Sequence, residues 1–335
     1  MASTFMKKTP ETFGKCVALL AALTAPTVWA AENDSDIPAR QEVTTIHSKT
    51  LTDQQFLNGD KGGSDVVLGG VLSLPQGEGT FPVVILQHGS GGVGSNITYW
   101  QRTFNAAGIA TFAMDGFTGR GIVSTSADQA QLGRLNFILD DYNAGALLAK
   151  HPRIDPKRII LMGFSRGGQA SLYASLERFD KMWKSADYSF AGYIAFYPDC
   201  ATDFKDQDVV MKRPIRVFHG LADNYDPFSV CEPYFKELKK KGIDIAYHTY
   251  EGANHVFDSP YTWSPVREAK TSQSVRDCKI VEASNGQLIN EQTGKPFQYT
   301  DACVAKGARV GPNAEAAAQA TTDVLAAVKE MLSKP

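Results

Sequence analysis

The pentapeptide at 163–167, Gly-Phe-Ser-Arg-Gly, places a serine hydroxyl between two glycines. A largely apolar run precedes it at 158–162, and a helical pattern of small residues follows it. A strand, a sharp turn and a helix in this order put a nucleophile at the tip of the turn, where glycines let the neighbouring backbone come close. The free N–H groups of the following helix then point at any oxyanion formed there. The pattern predicts Ser165 as a nucleophile for acyl transfer.

A serine nucleophile needs a base, and His255 is the best placed of the six histidines. It lies in a loop after the last predicted strand, and the small residues at 252–253 let that loop approach Ser165 closely. The other five lie inside strand patterns, at a helix end or directly at strand ends. An order of serine, acid and then histidine along the chain favours His255 as the base.

Two carboxylates, Asp223 and Asp226, follow the predicted strand at 215–218 and could orient the imidazole. We favour Asp223 because it lies nearer to the end of the strand. Asp226 precedes Pro227 and could instead begin the next helix, so it remains the alternative. Asp199, after another strand, is a third candidate. The chosen carboxylate would fix the tautomer of the histidine and stabilise its imidazolium form.

The loop at 87–94, Gln-His-Gly-Ser-Gly-Gly-Val-Gly, follows the first buried strand. It has neither the Gly-Lys-Ser/Thr ending nor the Gly-x-Gly-x-x-Gly spacing of phosphate-binding loops. Its form and its place ahead of the Ser165 turn are typical of an oxyanion loop. We therefore expect the backbone N–H groups of Ser90 and Arg166 to stabilise the oxyanion.

Three side chains that follow strand ends are predicted to border the substrate. Phe117 and Arg120 come after the strand at 109–114, and Tyr197 comes after the strand at 192–196. In open sheets of this kind ligands bind beyond the carboxyl ends of the strands. Phe117 would line an acyl or alcohol site and Arg120 would meet an acidic substrate, with a surface ion pair as the alternative for Arg120.

These residues depend on elements that bring strand ends together. Short apolar runs predict six strands buried on both faces, at 82–86, 109–114, 158–162, 192–196, 215–218 and 243–247. Helical patterns alternate with them at 99–107, 127–149, 167–179, 230–241 and 313–332. Two earlier extended segments, at 42–48 and 66–74, predict an antiparallel start. We expect an α/β fold with an eight-stranded, mostly parallel sheet and helices on both faces.

The composition is that of an ordinary globular protein. Of 335 residues, 43% are hydrophobic and 21% are charged, which is ample for a large core. The net charge of -2 gives no strong electrostatic attraction to nucleic acid or to anionic membranes. We therefore expect a small-molecule or polymer substrate and neither of those partners.

The first thirty residues predict a cleaved signal peptide. Lys7, Lys8 and Lys15 precede a short apolar stretch at 16–25, and Val-Trp-Ala at 28–30 forms a cleavage site. The apolar stretch is too short to span a bilayer comfortably, so a retained membrane anchor is the less favoured alternative. The mature domain would run over 31–335 and be periplasmic or secreted.

Cleavage would leave four cysteines, Cys200, Cys231, Cys278 and Cys303. An even number in an exported protein predicts disulfides, and three pairings are possible. We favour Cys200 with Cys231 and Cys278 with Cys303, because each pair closes a local loop. The absence of a Cys-x-x-Cys spacing argues against a metal site. The second pair would tie an insert at 259–311, which either walls one side of the cleft or decorates the surface.

Several motifs resemble the dienelactone hydrolase family of the α/β-hydrolase superfamily, over nearly all of the mature chain. They are His-Gly-Ser-Gly-Gly at 88–92, Asp-Pro-Lys-Arg-Ile at 155–159, the Ser165 pentapeptide, His-Gly-Leu-Ala-Asp at 219–223 and Gly-Ala-Asn-His-Val-Phe at 252–257. The resemblance implies an α/β-hydrolase fold and cofactor-free hydrolysis of an ester or lactone through a nucleophile–His–Asp triad. The cytoplasmic enzymes that give the family its name use cysteine as the nucleophile. Ser165 and the export signal therefore favour a general carboxylesterase, or one acting on plant-cell-wall or polymer esters.

Two other functions remain open. A serine peptidase or acyl-aminoacyl hydrolase would use the same triad, although such enzymes usually carry a large added domain for which this chain has no room. A non-catalytic binding protein on the same scaffold would be indicated by a lost triad member, and none is lost.

Overall fold

The computed structural model describes residues 39–186, 188–258 and 265–334. The predicted signal peptide at 1–30 and the start of the predicted insert at 259–264 lie outside these ranges. Strands of the central sheet are β1 Arg40–Thr50, β2 Ser64–Leu74, β3 Phe81–Gln87, β4 Ala110–Asp115, β5 Ile154–Phe164, β6 Phe190–Phe196, β7 Ile215–Gly220 and β8 Ile245–Tyr250.

These eight strands form one sheet in the order β1-β2-β4-β3-β5-β6-β7-β8. β2 is antiparallel to both β1 and β4, and every other neighbouring pair is parallel. The antiparallel start and the parallel remainder confirm the predicted α/β class. The carboxyl ends of β3, β5, β6 and β7 therefore share one edge, where the loops with the candidate residues begin.

Helices cover both faces of the sheet. They are α1 Asp53–Asn58, α2 Ser95–Ala106, α3 Asn136–Leu148, α4 Arg166–Tyr173, α5 Glu177–Trp183, α6 Phe228–Lys240 and α7 Ala314–Ser333, with 3₁₀ turns at Thr118–Arg120 and Gln129–Gln131. Alternate residues of one strand belong to opposite cores. Val83 and Ile85 pack with α3 and α4, whereas Val84 and Leu86 pack with α2 and α7. This alternation explains why the strands are continuously apolar.

Three helical segments differ from the predicted pattern. The helix predicted at 127–149 begins only at Asn136, because the residues before it form a loop and a 3₁₀ turn. The helix predicted at 167–179 is two helices, α4 and α5. Between them, the backbone groups of Ser175 and Glu177 form hydrogen bonds with the segment at 209–211. Helix α1 was not predicted, although Thr52 and Gln55 form a capping box that marks its start.

The insert, residues 265–311, consists of short strands joined by turns. Arg267–Glu268 pairs with Arg309–Val310, and Gln273–Ser274 pairs with Ala305–Lys306. A small sheet consists of Lys295–Pro296, Leu288–Asn290, Ile280–Glu282 and Thr202–Asp203. The pairing Cys278–Cys303 closes the insert and Cys200–Cys231 ties the loop after β6 to α6, as favoured from the sequence. Among the described residues, no helix is both long and apolar enough to span a bilayer.

Candidate active site

Ser165 lies in the turn between β5 and α4 with φ 54° and ψ -117°. A positive φ is uncommon outside glycine and costs roughly 1–3 kcal/mol, so surrounding bonds must hold it. The N–H of Ser165 donates to the carbonyl of Phe196 at 3.0 Å, and its own carbonyl accepts the N–H of Gln169 at 2.8 Å. Both ends of the residue are therefore fixed, with the side chain aimed away from the sheet.

The glycines around Ser165 are required by close backbone contacts. A Cβ at Gly163 would lie 1.9 Å from the carbonyl oxygen of Gly167, and a Cβ at Gly167 would lie 2.3 Å from that of Gln87. Both distances are far inside van der Waals contact, so neither position accepts a side chain without moving the backbone. Strand, turn and helix can pack this tightly only with glycine at both positions.

The structure brings Ser165, His255 and Asp223 into one hydrogen-bonded line. The Oγ of Ser165 lies 3.0 Å from the Nε2 of His255, and the Nδ1 of His255 lies 2.7 Å from the Oδ2 of Asp223. All three residues are at least nine-tenths buried. A carboxylate on Nδ1 holds the ring proton there, which leaves Nε2 free to accept the serine proton.

The charges along this line favour an ionised acid and a basic histidine. Burial alone raises the pKa of Asp223, but the charge and hydrogen bond of His255 outweigh it and hold that pKa below its ordinary value. Burial lowers the pKa of His255, but the Asp223 carboxylate outweighs that effect and raises the pKa overall. The Oδ1 of Asp223 also accepts the N–H groups of Tyr225 and Asp226, at 2.8 and 3.1 Å. Its orientation is therefore fixed.

Asp226, the alternative acid, lies on the other side of the imidazole. Its Oδ2 is 3.9 Å from the Nε2 of His255, too far for a hydrogen bond, and it makes no contact with Nδ1. Burial raises the pKa of Asp226 well above its ordinary value, and the nearby carboxylates of Asp199 and Asp223 add to this. The geometry therefore gives Asp223, and not Asp226 or Asp199, the orienting position.

Two aromatic rings enclose the imidazole of His255. The rings of Tyr197 and Tyr225 each lie 4.6 Å from it, measured between centroids. The hydroxyl of Tyr197 donates to Asp258 at 2.6 Å, and the Nε1 of Trp100 donates to the same carboxylate at 2.9 Å. Tyr197 was expected to border the substrate, and here it contacts the ring of His255. Tyr225 and Asp258 were missed, although both lie within three residues of a triad member.

The loop that follows β3 lies directly against Ser165. A Cβ at Gly89 would be 3.0 Å from the carbonyl oxygen of Phe164 and 3.1 Å from the Cβ of Ser165. The carbonyl of Ser90 accepts the N–H of Thr125 at 2.9 Å, which holds the loop in place. No described residue accepts a hydrogen bond from the N–H of Ser90, nor from that of Arg166 at the first position of α4. Both groups can donate to an oxyanion.

His88 directly follows β3, and its side chain makes structural hydrogen bonds. Its Nδ1–H donates to the carbonyl of Gly89 at 2.7 Å, and its Nε2 accepts the N–H of Gly116 at 3.1 Å. Burial lowers the pKa of His88 to about 4. A neutral histidine with both nitrogens engaged cannot serve as a base. Its contacts hold the loop at 87–94 against the loop after β4.

Neither Phe117 nor Arg120 lines the cavity beside Ser165. Phe117 is buried, with its ring 4.6 Å from that of His88. Arg120 forms a buried ion pair with Asp140 at 2.7 Å and also donates to two backbone carbonyls. Its contacts are internal and fix the loop after β4 to α3, so the proposed site does not include these two side chains.

A polar inner cavity of about 30 Å³ adjoins the Ser165 hydroxyl. The insert forms one wall through Gln273 and Tyr299, and Arg134 forms another. Arg134 is buried and pairs with Asp199, while its Nε and Nη1 have no hydrogen-bond partner among the described residues. Arg166, whose guanidinium donates to Thr125 and Gln129, also lines this space.

Two known proteins are similar in sequence to part of this chain. Acyl-protein thioesterase 1 of Gibberella zeae is 32% identical over 102 residues, which are 30% of this chain and 43% of the thioesterase. Acyl-protein thioesterase 1 homolog 1 of Dictyostelium discoideum is 29% identical over 105 residues, which are 31% of this chain and 43% of that protein. The chain therefore matches less than half the length of either relative.

Solved structures agree on the fold. The crystal structure of a dienelactone hydrolase-like promiscuous phosphotriesterase from metagenomic libraries superposes with a TM-score of 0.55 at 15% identity. The match covers 87% of this chain and 98% of that one. At this identity the likeness shows a shared architecture. The sequence profile of the dienelactone hydrolase family matches residues 68–280, more than half of the sequence. With that match added to the shared fold, the chain belongs to the dienelactone hydrolase family, as its motifs predicted.

Proposed function

We propose that the protein is an exported serine hydrolase that cleaves carboxylic esters through an acyl-enzyme. Ser165 is the nucleophile, His255 the base and Asp223 the residue that positions the base. The observation that carries this proposal is the hydrogen-bonded line from the Ser165 hydroxyl to Nε2 at 3.0 Å and from Nδ1 to the carboxylate at 2.7 Å. Family membership supports an ester or lactone as the substrate.

The first step transfers the acyl group to the enzyme. As the Oγ of Ser165 bonds the ester carbonyl carbon, its proton moves to the Nε2 of His255. The carbonyl oxygen becomes an oxyanion, which the N–H groups of Ser90 and Arg166 stabilise; losing one such donor typically costs ~3 kcal/mol. His255 then returns the proton to the departing alkoxide, and the bond between the carbonyl carbon and the leaving oxygen breaks.

The second step regenerates the serine. A water molecule gives a proton to His255 and bonds the acyl carbon, which forms a second oxyanion at the same two N–H groups. Collapse of that intermediate returns the proton to the Oγ of Ser165 and releases the carboxylic acid. Throughout, the ionised Asp223 stabilises the imidazolium.

Export is supported by the cysteines. Both disulfides require an oxidising compartment in which to form and persist, such as the periplasm or the extracellular space. The basic and apolar pattern at 1–30 supports the same location.

The test is hydrolysis of p-nitrophenyl esters of graded acyl length by the chain that begins at Ala31. We expect Ser165→Ala to lose activity by about 10³-fold or more. Ser284→Ala, at an exposed serine of the insert, is the matched control and should leave the rates unchanged. Intact mass after a short reaction should show the acyl adduct on the wild type and not on Ser165→Ala.

Two results would overturn the proposal. Esterase activity that survives in Ser165→Ala would remove Ser165 from the mechanism. Cleavage of peptide anilides by a protein that cleaves no ester would favour a serine peptidase acting through the same three residues.

A further inference from the structure

A second and larger space lies on the outer side of the insert. This outer groove has a volume of about 820 Å³ and lies between the segments 50–64 and 128–133 and insert residues 287–300. Its volume is in the range of ligand sites, about 300–1,000 Å³. The mechanism proposed for Ser165 makes no use of it.

The outer groove and the inner cavity share two lining residues. Gln273 and Tyr299 border both spaces, so the groove adjoins the cavity beside Ser165. The Oε1 of Gln273 accepts the N–H of Gln129 at 2.8 Å. The side chain of Gln129 donates in turn to the Oγ of Ser90 at 3.0 Å. Two residues, Gln273 and Gln129, therefore connect a ligand in the groove to Ser90.

The lining of the groove carries many amide side chains and little charge. Its most frequent side chain is an uncharged amide, present at Gln54, Gln55, Gln131, Gln273, Gln287 and Gln298. The amides of Gln54, Gln55, Gln131 and Gln273 already hydrogen-bond neighbouring groups. No described residue accepts a hydrogen bond from the NH₂ groups of Gln287 and Gln298, so these two amides can donate to hydroxyl groups. The charged residues of the lining are Asp53 and Asp128, and the described lining includes no lysine, arginine or histidine. Such a surface disfavours polyanions and suits a neutral polyol.

Two aromatic rings provide an apolar surface among these amides. The rings of Phe297 and Tyr299 lie 5.1 Å apart in an edge-to-face arrangement, and both side chains are partly exposed. A pyranose ring has hydroxyl groups at its edge and C–H groups on its faces. Amides around an aromatic pair therefore match both parts of a sugar.

We propose that the outer groove binds a neutral oligosaccharide, and that this oligosaccharide is the alcohol part of the ester. This inference rests on the proposed esterase function of Ser165. The inner cavity has room for about two water molecules, so the acyl group it accepts is small, of acetyl size. The substrate class is an acetylated neutral polysaccharide, which lies in the groove while an acetyl group extends past Gln273 and Tyr299 into the inner cavity beside Ser165.

Binding is measured first, on Ser165→Ala, so that no turnover is needed. Isothermal titration calorimetry with xylohexaose, cellohexaose and mannohexaose should give saturable binding to at least one. A galacturonic acid hexamer, which is anionic, should give none. The variant Ala130→Trp places a bulky ring in the groove from an exposed position and should weaken that binding by about tenfold or more. Ala318→Trp, exposed on α7, is the matched control and should leave it unchanged.

Turnover is measured second, on the active protein. The kcat/KM for the acetylated form of the bound hexasaccharide, divided by that for p-nitrophenyl acetate, should fall in Ala130→Trp and stay constant in Ala318→Trp. Failure of all three neutral hexasaccharides to bind would overturn the groove assignment, and so would equal binding by a folded Ala130→Trp. Saturable binding in a protein that cleaves no ester would instead refute the proposed function and leave the groove as a saccharide site.

Discussion

Replacing Asp223 with asparagine tests whether this carboxylate sets the tautomer of His255. In the wild type, Oδ1 accepts two backbone N–H groups while Oδ2 faces Nδ1 at 2.7 Å. The amide oxygen of Asp223→Asn must stay beside those N–H groups, so its NH₂ group faces Nδ1 and donates to it. The ring proton then moves to Nε2, and the Ser165 hydroxyl loses its acceptor.

The expected loss of kcat follows from the free-energy cost of reversing the side-chain amide in Asp223→Asn. The reversed amide restores the active tautomer but points its NH₂ group at the N–H groups of Tyr225 and Asp226. At about 1–3 kcal/mol for each buried donor left unsatisfied, the reversed state lies about 2–6 kcal/mol higher. Each 1.36 kcal/mol is about tenfold in rate, so kcat should fall by between about 30-fold and 3 × 10⁴-fold.

The assay is kcat for p-nitrophenyl acetate at pH 8, with thermal melting to show that each variant is folded. Asp226→Asn is the matched control, because that carboxyl is 3.9 Å from Nε2 and orients nothing. We expect it to change kcat by less than about tenfold. If Asp223→Asn stays within about threefold of the wild type, the orienting role is refuted. Equal losses in the two variants would refute the distinction between the carboxylates.

Three further results follow from the same contacts. Asp223 raises the pKa of His255, and the reaction needs the neutral ring. We therefore expect kcat/KM to rise with pH through a midpoint above 6.5. A flat profile between pH 5 and 8 would contradict this. Gly89→Ala adds a Cβ within 3.0 Å of a carbonyl oxygen beside Ser165, so kcat should fall about tenfold to 100-fold; unchanged kcat would show that the loop yields freely. Asp141 is buried and has no hydrogen-bond partner among the described residues, and burial raises its pKa well above 3.8. Its contribution to stability should therefore fall as pH rises from 4, by up to about 1.4 kcal/mol per unit. Asp141→Asn should melt progressively higher than the wild type between pH 5 and 8, and a constant difference would refute the buried acid.

The parts of the site that depend on the local residue pattern could be predicted from the sequence. The strand, glycines and helix around Ser165 specify one turn, and the fold then brings the ends of β5, β7 and β8 to the same edge. Small residues before His255 indicate the close approach that the structure has. These features depend on backbone geometry, which neighbouring residues largely determine.

Side-chain directions across the fold could not be predicted in this way. Arg120 follows a strand end, as a substrate-binding residue would. Its guanidinium is nevertheless buried, because it forms an ion pair with Asp140 on α3. The segment before α3 has helical periodicity, yet Gln129 bonds Ser90 and Arg166, and these contacts hold it in a loop. Both outcomes depend on partners distant in sequence, which periodicity does not detect.

The positive φ of Ser165 means that the most stable sequence for this fold is not the active one. Glycine adopts φ 54° without strain, so Ser165→Gly would relax roughly 1–3 kcal/mol and lose the hydroxyl. Selection of a variant library for melting temperature alone would therefore favour replacement of Ser165, the proposed nucleophile, at an early stage. Engineering this protein for heat resistance requires a screen that scores turnover together with stability.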